Sequence, residues 1–261
     1  GLALGLCVCI LLFSVWKLAS ILLGYQSGES EYKSLRKYVT EAPADPKTVL
    51  ADAASSEDEE GDSSEVAAPM TRIDLASLQG INSDAVGWIE IPDTSVSYPL
   101  VHTTDNTYYL THAFDNKTNR SGSIFVEASN AADFSDLHTI IYGHNMKSGM
   151  MFGGLKNYLQ AGYLESHKYI QFNTIYEKRT YEIVAVCLSE VQYQDEDAYR
   201  YYDFITSTSA QDLQDFVENV DALAVYGNAD GLTLQDKLLT LSTCNSYTED
   251  GRLFVVAKQV Q

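Results

Sequence analysis

Basic residues are scarce in this chain: 17 lysines and arginines stand against 36 aspartates and glutamates, a formal net charge of −19 over 261 residues. A surface so anionic is the wrong sign for a phosphate backbone, so nucleic-acid binding is excluded as a principal function. Cysteine is scarce too: Cys7, Cys9, Cys187 and Cys244 are the only four. No CxxC pair occurs, which argues against a zinc ribbon or a thioredoxin-like redox site. The five histidines show no HExxH or comparable spacing, so no metal site and no cofactor is expected.

What is present is a real core. Hydrophobic residues make up 45% of the chain and tyrosines number 18, enough for one large domain or two small ones. The first 16 residues carry no charge; Lys17 interrupts, and residues 18–25 are again uncharged. A spanning helix needs about 20 apolar residues, and a lysine near a bilayer face can snorkel to water. Residues 1–25 therefore read as a transmembrane anchor, with a cleavable signal peptide as the alternative. Residues 26–70, with a short helix predicted over Glu31–Tyr38, read as an acidic flexible linker. Within it, residues 57–65 hold six acids and no base, a composition that repels itself and cannot bury a core. The folded domain is expected over 71–261.

That domain reads as many short strands with few helices. A short helix is predicted from Arg72 to Leu78. Strands are predicted at residues 87–92, 96–101, 123–127, 139–142, 168–173 and 180–188, with short helices at 105–110 and 150–158. A long insertion, residues 190–226, carries helical periodicity from Ser209 to Val225, at Leu213, Phe216, Val217 and Val220. Two final strands follow. Such a pattern suggests a closed or nearly closed β-barrel. Cys187 lies in a strand-like run and reads as a core residue.

The first of the two final strands, Leu239-Thr240-Leu241-Ser242-Thr243-Cys244, ends on a cysteine. Leu239, Leu241 and Thr243 share one face, Thr240, Ser242 and Cys244 the other. A turn-rich loop leads to a strand that begins at Arg252. Upstream, Ile140-Ile141-Tyr142-Gly143-His144 ends a strand on a glycine and a histidine. A thiolate, not a thiol, is the nucleophile, and a neighbouring imidazole can generate it and later protonate a leaving amine. A guanidinium stays charged at any working pH and offers directed donors to a developing oxyanion. Cys244 as nucleophile, His144 as acid/base and Arg252 as oxyanion or substrate clamp are thus the candidate catalytic residues, with His112 in reserve as base.

These stretches resemble the sortases, the cysteine transpeptidases of Gram-positive cell surfaces. The family motif TLxTC matches Thr240-Leu241-Ser242-Thr243-Cys244, followed by Arg252 and preceded by His144. Tyr142-Gly143-His144-Asn145-Met146 and Ser242 resemble class B. The resemblance covers about residues 72–261. It implies an eight-stranded sortase-type barrel with N-terminal helices and a helix in the long loop before the cysteine strand. It also implies the same three roles for Cys244, His144 and Arg252. Some class B members carry an acid just after the cysteine; here those places hold Asn245 and Ser246. By motif match Asn106 and Leu110 are expected to contact substrate, with Ser242 and Thr243 lining the groove and Tyr201, Tyr202 and Ile205 walling it.

The function so implied is a membrane-anchored transpeptidase with its catalytic domain outside the cell. It would cleave a sorting motif of NPxTx or (S/P)PxTG type after threonine and pass the acyl group to a peptidoglycan-precursor amine, thereby anchoring surface proteins to the cell wall. A pilin-polymerising sortase, a hydrolytic cysteine protease and a catalytically silent adhesin remain as alternatives.

Overall fold

The computed structural model describes residues 2–41, 71–174, 177–190, 199–244 and 251–261. Most of the linker stretch and the loop after Cys244 lie outside the described residues. Helix α1 (Leu2–Leu35) runs through one 3-10 turn into β1 (Val39–Glu41), which pairs antiparallel with β2 (Thr71–Ile73). Helix α2 (Leu75–Ile81) begins at Asp74, whose carboxylate accepts the Ser77 backbone N–H at 3.0 Å and so caps the first turn.

The barrel strands are β3 (Ala85–Glu90), β4 (Ser97–Val101), β5 (Ile124–Val126) and β6 (His138–Tyr142). After the short α3 (Tyr163–Ser166) come β7 (Tyr169–Thr174) and β8 (Lys178–Glu190). Helix α4 (Ala210–Leu223) and β9 (Ala224–Gly227) fill the insertion, and β10 (Leu238–Cys244) and β11 (Gly251–Gln259) end the chain. The ring order is β11-β10-β6-β5-β4-β3-β7-β8, and β8 pairs back onto β11 to close eight strands; β9 adds to β8 outside the ring. The expected eight-stranded barrel with helices is therefore present.

Alternation along β10 and β11 explains the layering. Leu239, Leu241, Leu253 and Val255 pack into the barrel interior; Leu238, Phe254 and Val256 face outward into a second apolar cluster. That outer cluster would be exposed were it not covered by α4, which places Leu213, Phe216 and Val220 over it. Cys187 lies in the same cluster, and its thiol donates to the Val220 carbonyl at 3.6 Å, so it is a core residue as expected. The sequence extends the insertion helix to Val225, whereas α4 stops at Leu223 and β9 begins at Ala224. Val225 and Tyr226 are strand formers, and Val186 in β8 offers Tyr226 a pairing partner.

Two points concern the N-terminus. First, inside the stretch read as linker, the helix predicted at Glu31–Tyr38 is present as the end of α1 with the turn Arg36–Tyr38, and β1 follows it. Tyr32 and Leu35, one helical turn apart, are 3% and 4% exposed. Secondly, among the described residues no helix is long and apolar enough to cross a membrane, so a spanning segment over 1–25 is not supported. Ile10, Leu11, Leu12, Phe13, Val15 and Trp16 on α1 are each more than half exposed. Lys17 follows them directly.

Candidate active site

The topology brings three distant segments to one rim. β10 runs parallel to β6, with Ser242 opposite Tyr142, so both strands end on the same side of the barrel. β11 runs antiparallel to β10, and Arg252 stands directly across from Cys244. Adjacent strands lie about 4.8 Å apart. Residues 144, 244 and 252 thus converge although about 100 residues of chain separate the first from the others. Of Cys244 the backbone is described; its side chain lies outside the described residues.

A cleft of about 330 Å³ opens at this rim. His144, Gly143, Tyr142, Ser242, Thr243 and Arg252 line it, as do Asn106, Leu110, Phe125, Glu127, Tyr201 and Tyr202. Nine of the ten predicted site residues are accounted for at the rim, eight by side chains lining the cleft and Cys244 by its strand position. Ile205 is the exception. Its carbonyl accepts the backbone N–H of His138 at 3.0 Å, at the opposite end of β6, so it seals the bottom of the insertion and does not wall the groove.

Gly143 is required where it stands. A Cβ there would run into the Ile124 side chain and lie 2.9 Å from the Phe152 ring. This contact delivers His144 to the cleft. Nε2 of His144 lies 2.7 Å from the Leu110 carbonyl oxygen. A carbonyl can only accept, so Nε2 carries hydrogen and Nδ1 of the neutral ring is the basic nitrogen. The segment after His144 folds back on it: the Phe152 N–H donates to the His144 carbonyl at 3.0 Å, and Asn145 bridges Met151. Met151 sits at φ +54°, a costly conformation for a side chain of this size. Its N–H is held by the Tyr98 hydroxyl at 2.9 Å.

Ser242 and Tyr201 share a hydrogen bond of 2.7 Å between their hydroxyls. Tyr201 also stacks on Phe254 with ring centroids 4.1 Å apart. Burial pushes its phenol up to about 12, against the opposing pull of the Ser242 hydrogen bond and the Arg252 charge. It is neutral at any physiological pH and serves as a rigid wall. Tyr202 packs edge-on against it. Thr243 is buried and its hydroxyl finds no hydrogen-bond partner among the described residues, while Leu110 is 40% exposed at the cleft mouth.

Sequence reasoning missed Glu127. Although 8% exposed, it lines the cleft and collects donors: Asn106 Nδ2 at 2.7 Å, the Ser129 N–H at 3.1 Å and the Tyr142 hydroxyl at 2.9 Å. Asn106 is pinned from its other side, its Oδ1 accepting the Ala128 N–H at 2.8 Å. An acid immediately after the apolar run Ile124-Phe125-Val126 was the available signal. Among the described residues no cluster of histidine, cysteine and carboxylate side chains could hold a metal ion.

A closed eight-stranded barrel whose parallel strand pair ends on a cysteine and leads into a cleft-lining histidine, with an arginine paired across from the cysteine, defines a sortase-type enzyme. The sortase domain family matches residues 89–260. Sortase B of Listeria monocytogenes is 36% identical over 191 residues, covering 72% of this chain and 75% of its own length. Sortase B of Staphylococcus aureus is 34% identical over 192 residues, 73% and 76% respectively. Among solved structures, sortase B from B. anthracis in complex with AAEK1 superposes with a TM-score of 0.69 at 28% identity, covering 92% of this chain and all of that one. The Staphylococcus aureus sortase B–substrate complex gives 0.69 at 26% identity, with 92% and 99% coverage. The chain belongs to the sortase family, the cysteine transpeptidases, and its relatives here are of class B.

Proposed function

We propose that this enzyme cleaves a C-terminal sorting motif of NPxTx or (S/P)PxTG type after threonine and joins the threonine to an amine of the peptidoglycan precursor, with Cys244 as nucleophile. Ser242 lines the cleft, and strand periodicity gives position 244 the same face. The Cys244 thiolate attacks the threonine carbonyl carbon, and the oxyanion that forms is held by the Arg252 guanidinium. The carbon–nitrogen bond then breaks as protonated His144 gives its proton to the departing amine, leaving a thioester. The incoming amine attacks that thioester, neutral His144 takes its proton, and the carbon–sulfur bond breaks to release the Cys244 thiolate beside protonated His144, the starting state. Asn106, Leu110, Thr243, Tyr201 and Tyr202 form the groove in which the motif lies.

The observation that supports this reading most is the strand register: β6 and β10 parallel, β11 antiparallel, with Cys244 across from Arg252 and the His144 segment beside them. The exposed apolar side chains of α1 between Ile10 and Trp16 are suited to contact lipid, which would set the enzyme at the cell surface. The test is a panel of fluorogenic LPxTG, NPxTN and SPxTG peptides with and without triglycine. Mass spectrometry should find a threonine–triglycine product that grows at the expense of the hydrolysed acid. Cleavage indifferent to added amine would mark a hydrolytic thiol protease, and cleavage by Cys244→Ala would remove the thiol from the mechanism.

A further inference from the structure

His144 is held by two loops, one hydrogen-bonded to a side chain of α1 and the other to that side chain's ring neighbour, Tyr98. The first loop spans residues 108–123. It supplies the Leu110 carbonyl to His144 Nε2, and its other end packs Gly122 against the ring. Gly122 adopts φ +58°, and a Cβ there would strike the Tyr109 carbonyl and lie 3.1 Å from His144 Cδ2. Only glycine fits at this φ so close to the Tyr109 carbonyl and the imidazole. The second loop, residues 145–152, returns onto the His144 carbonyl and depends on Tyr98 to hold Met151.

Tyr32 of α1 touches the first loop directly and reaches the second through Tyr98. Its hydroxyl donates to the Gly122 carbonyl at 2.7 Å and lies 3.2 Å from the Ser123 hydroxyl. Its ring meets Tyr98 edge to face, centroids 5.4 Å apart. The residue before it acts on the same loop: Glu31 Oε1 accepts the Asp115 N–H at 2.9 Å. Burial holds the Tyr32 phenol neutral at all working pH, so it remains a donor. A phenol aimed at a carbonyl whose residue lies against the catalytic ring fixes that ring at one remove.

We propose that Tyr32 is a positioning residue for His144, so that the N-terminal helix sets the orientation and tautomer of the imidazole. The inference rests on His144 being the acid/base. The docked end of α1 then becomes part of the working site, and any force or partner that lifts α1 loosens the base. Loss of one hydrogen bond at such a junction corresponds to about a threefold to tenfold effect on rate.

The test uses the full chain labelled with nitrogen-15 at histidine. In Tyr32→Phe, the His144 ring signals should move away from the single Nε2–H tautomer or broaden, and kcat for acyl transfer should fall about threefold to tenfold with KM unchanged. Tyr32→Ala, which also removes the edge contact to Tyr98, should enlarge both changes. Val220→Ala, which weakens the distant α4 cluster, serves as the stability control and should leave the His144 signals alone. The inference is overturned if His144 signals in Tyr32→Phe match the wild type. It is equally overturned if Val220→Ala, at a matched loss of melting temperature, moves them as much. The tautomer readout needs no turnover. Full activity in His144→Ala would therefore sink the proposed role of His144 while leaving the coupling to be judged by its own signals.

Discussion

The two ends of the β6–β10 pair carry one histidine each, and they are built for opposite ends. At the entry end His138 is fully buried, with Nδ1 2.6 Å from the Phe204 carbonyl and Nε2 2.7 Å from the Thr240 hydroxyl. Every polar atom of that ring is spoken for, and burial drops its pKa to about 4. At the exit end, His144 is half-exposed beside a cleft, with one ring nitrogen tied to a carbonyl. Six residues apart, one imidazole is a buried neutral brace and the other lines an open cleft. What separates them is how many ring nitrogens the fold occupies and how much water it admits.

The sharpest way to break this comparison is to remove each ring. His144→Ala should lower kcat/KM for acyl transfer by about 10²–10⁴-fold, the range for loss of a general acid/base, with little change in melting temperature. His138→Ala should do the reverse. It leaves the Phe204 carbonyl and Thr240 hydroxyl buried without a partner, costing about 1–3 kcal/mol for each unpaired group plus a cavity, while activity per folded molecule stays near wild type. Equal losses of activity in the two variants would collapse the distinction. Next in size, Arg252→Lys keeps the charge and loses the planar fork; a drop of about 10²-fold in kcat, in the range for a lost oxyanion donor, is expected.

Acid sharpens the contrast further. The folded pKa of His138 is about 4, below its ordinary 6.5, so the unfolded chain takes up this proton first as pH falls. The contribution is therefore favourable and complete above about pH 6.5. It is lost progressively between about 6.5 and 4, on the order of 3 kcal/mol in all. Chemical denaturation across that window should show the loss in wild type and a flatter profile in His138→Gln; parallel profiles would refute the assignment. The smallest expected effect is Ser242→Ala, which strips the buried Tyr201 hydroxyl of its partner for about 1 kcal/mol and should raise KM more than it lowers kcat.

How much of this was readable beforehand follows from sequence separation. The strands with clear alternation were legible, and so was the TLxTC segment with its arginine, because each depends on neighbours in the chain. Barrel closure was not readable from pattern alone, since β8 and β11 meet across more than 60 residues and any pairing order fits the same alternation. The cleft residues found by motif stood on strand ends, where position along the chain fixes position in space. Ile205 failed because it lies on an irregular stretch after the turn at Tyr201–Asp203, where the steps from Tyr202 to Ile205 carry the chain from the cleft to the opposite end of β6. The contacts that give Glu127 and Tyr32 their roles were not readable for a shared reason: their partners, Asn106 and Gly122, lie 21 and 90 residues away.

The most direct measurement is intact-protein mass spectrometry after mixing the enzyme with a threonine-containing sorting peptide and no amine. A mass gain equal to the acyl fragment ending in threonine should map to the tryptic peptide of Cys244. It should be absent in Cys244→Ser and form at least about 10²-fold more slowly in His144→Ala. An adduct on Cys187, or one that forms on Cys244 at the wild-type rate without the His144 ring, would contradict the convergence of thiol and imidazole at one cleft.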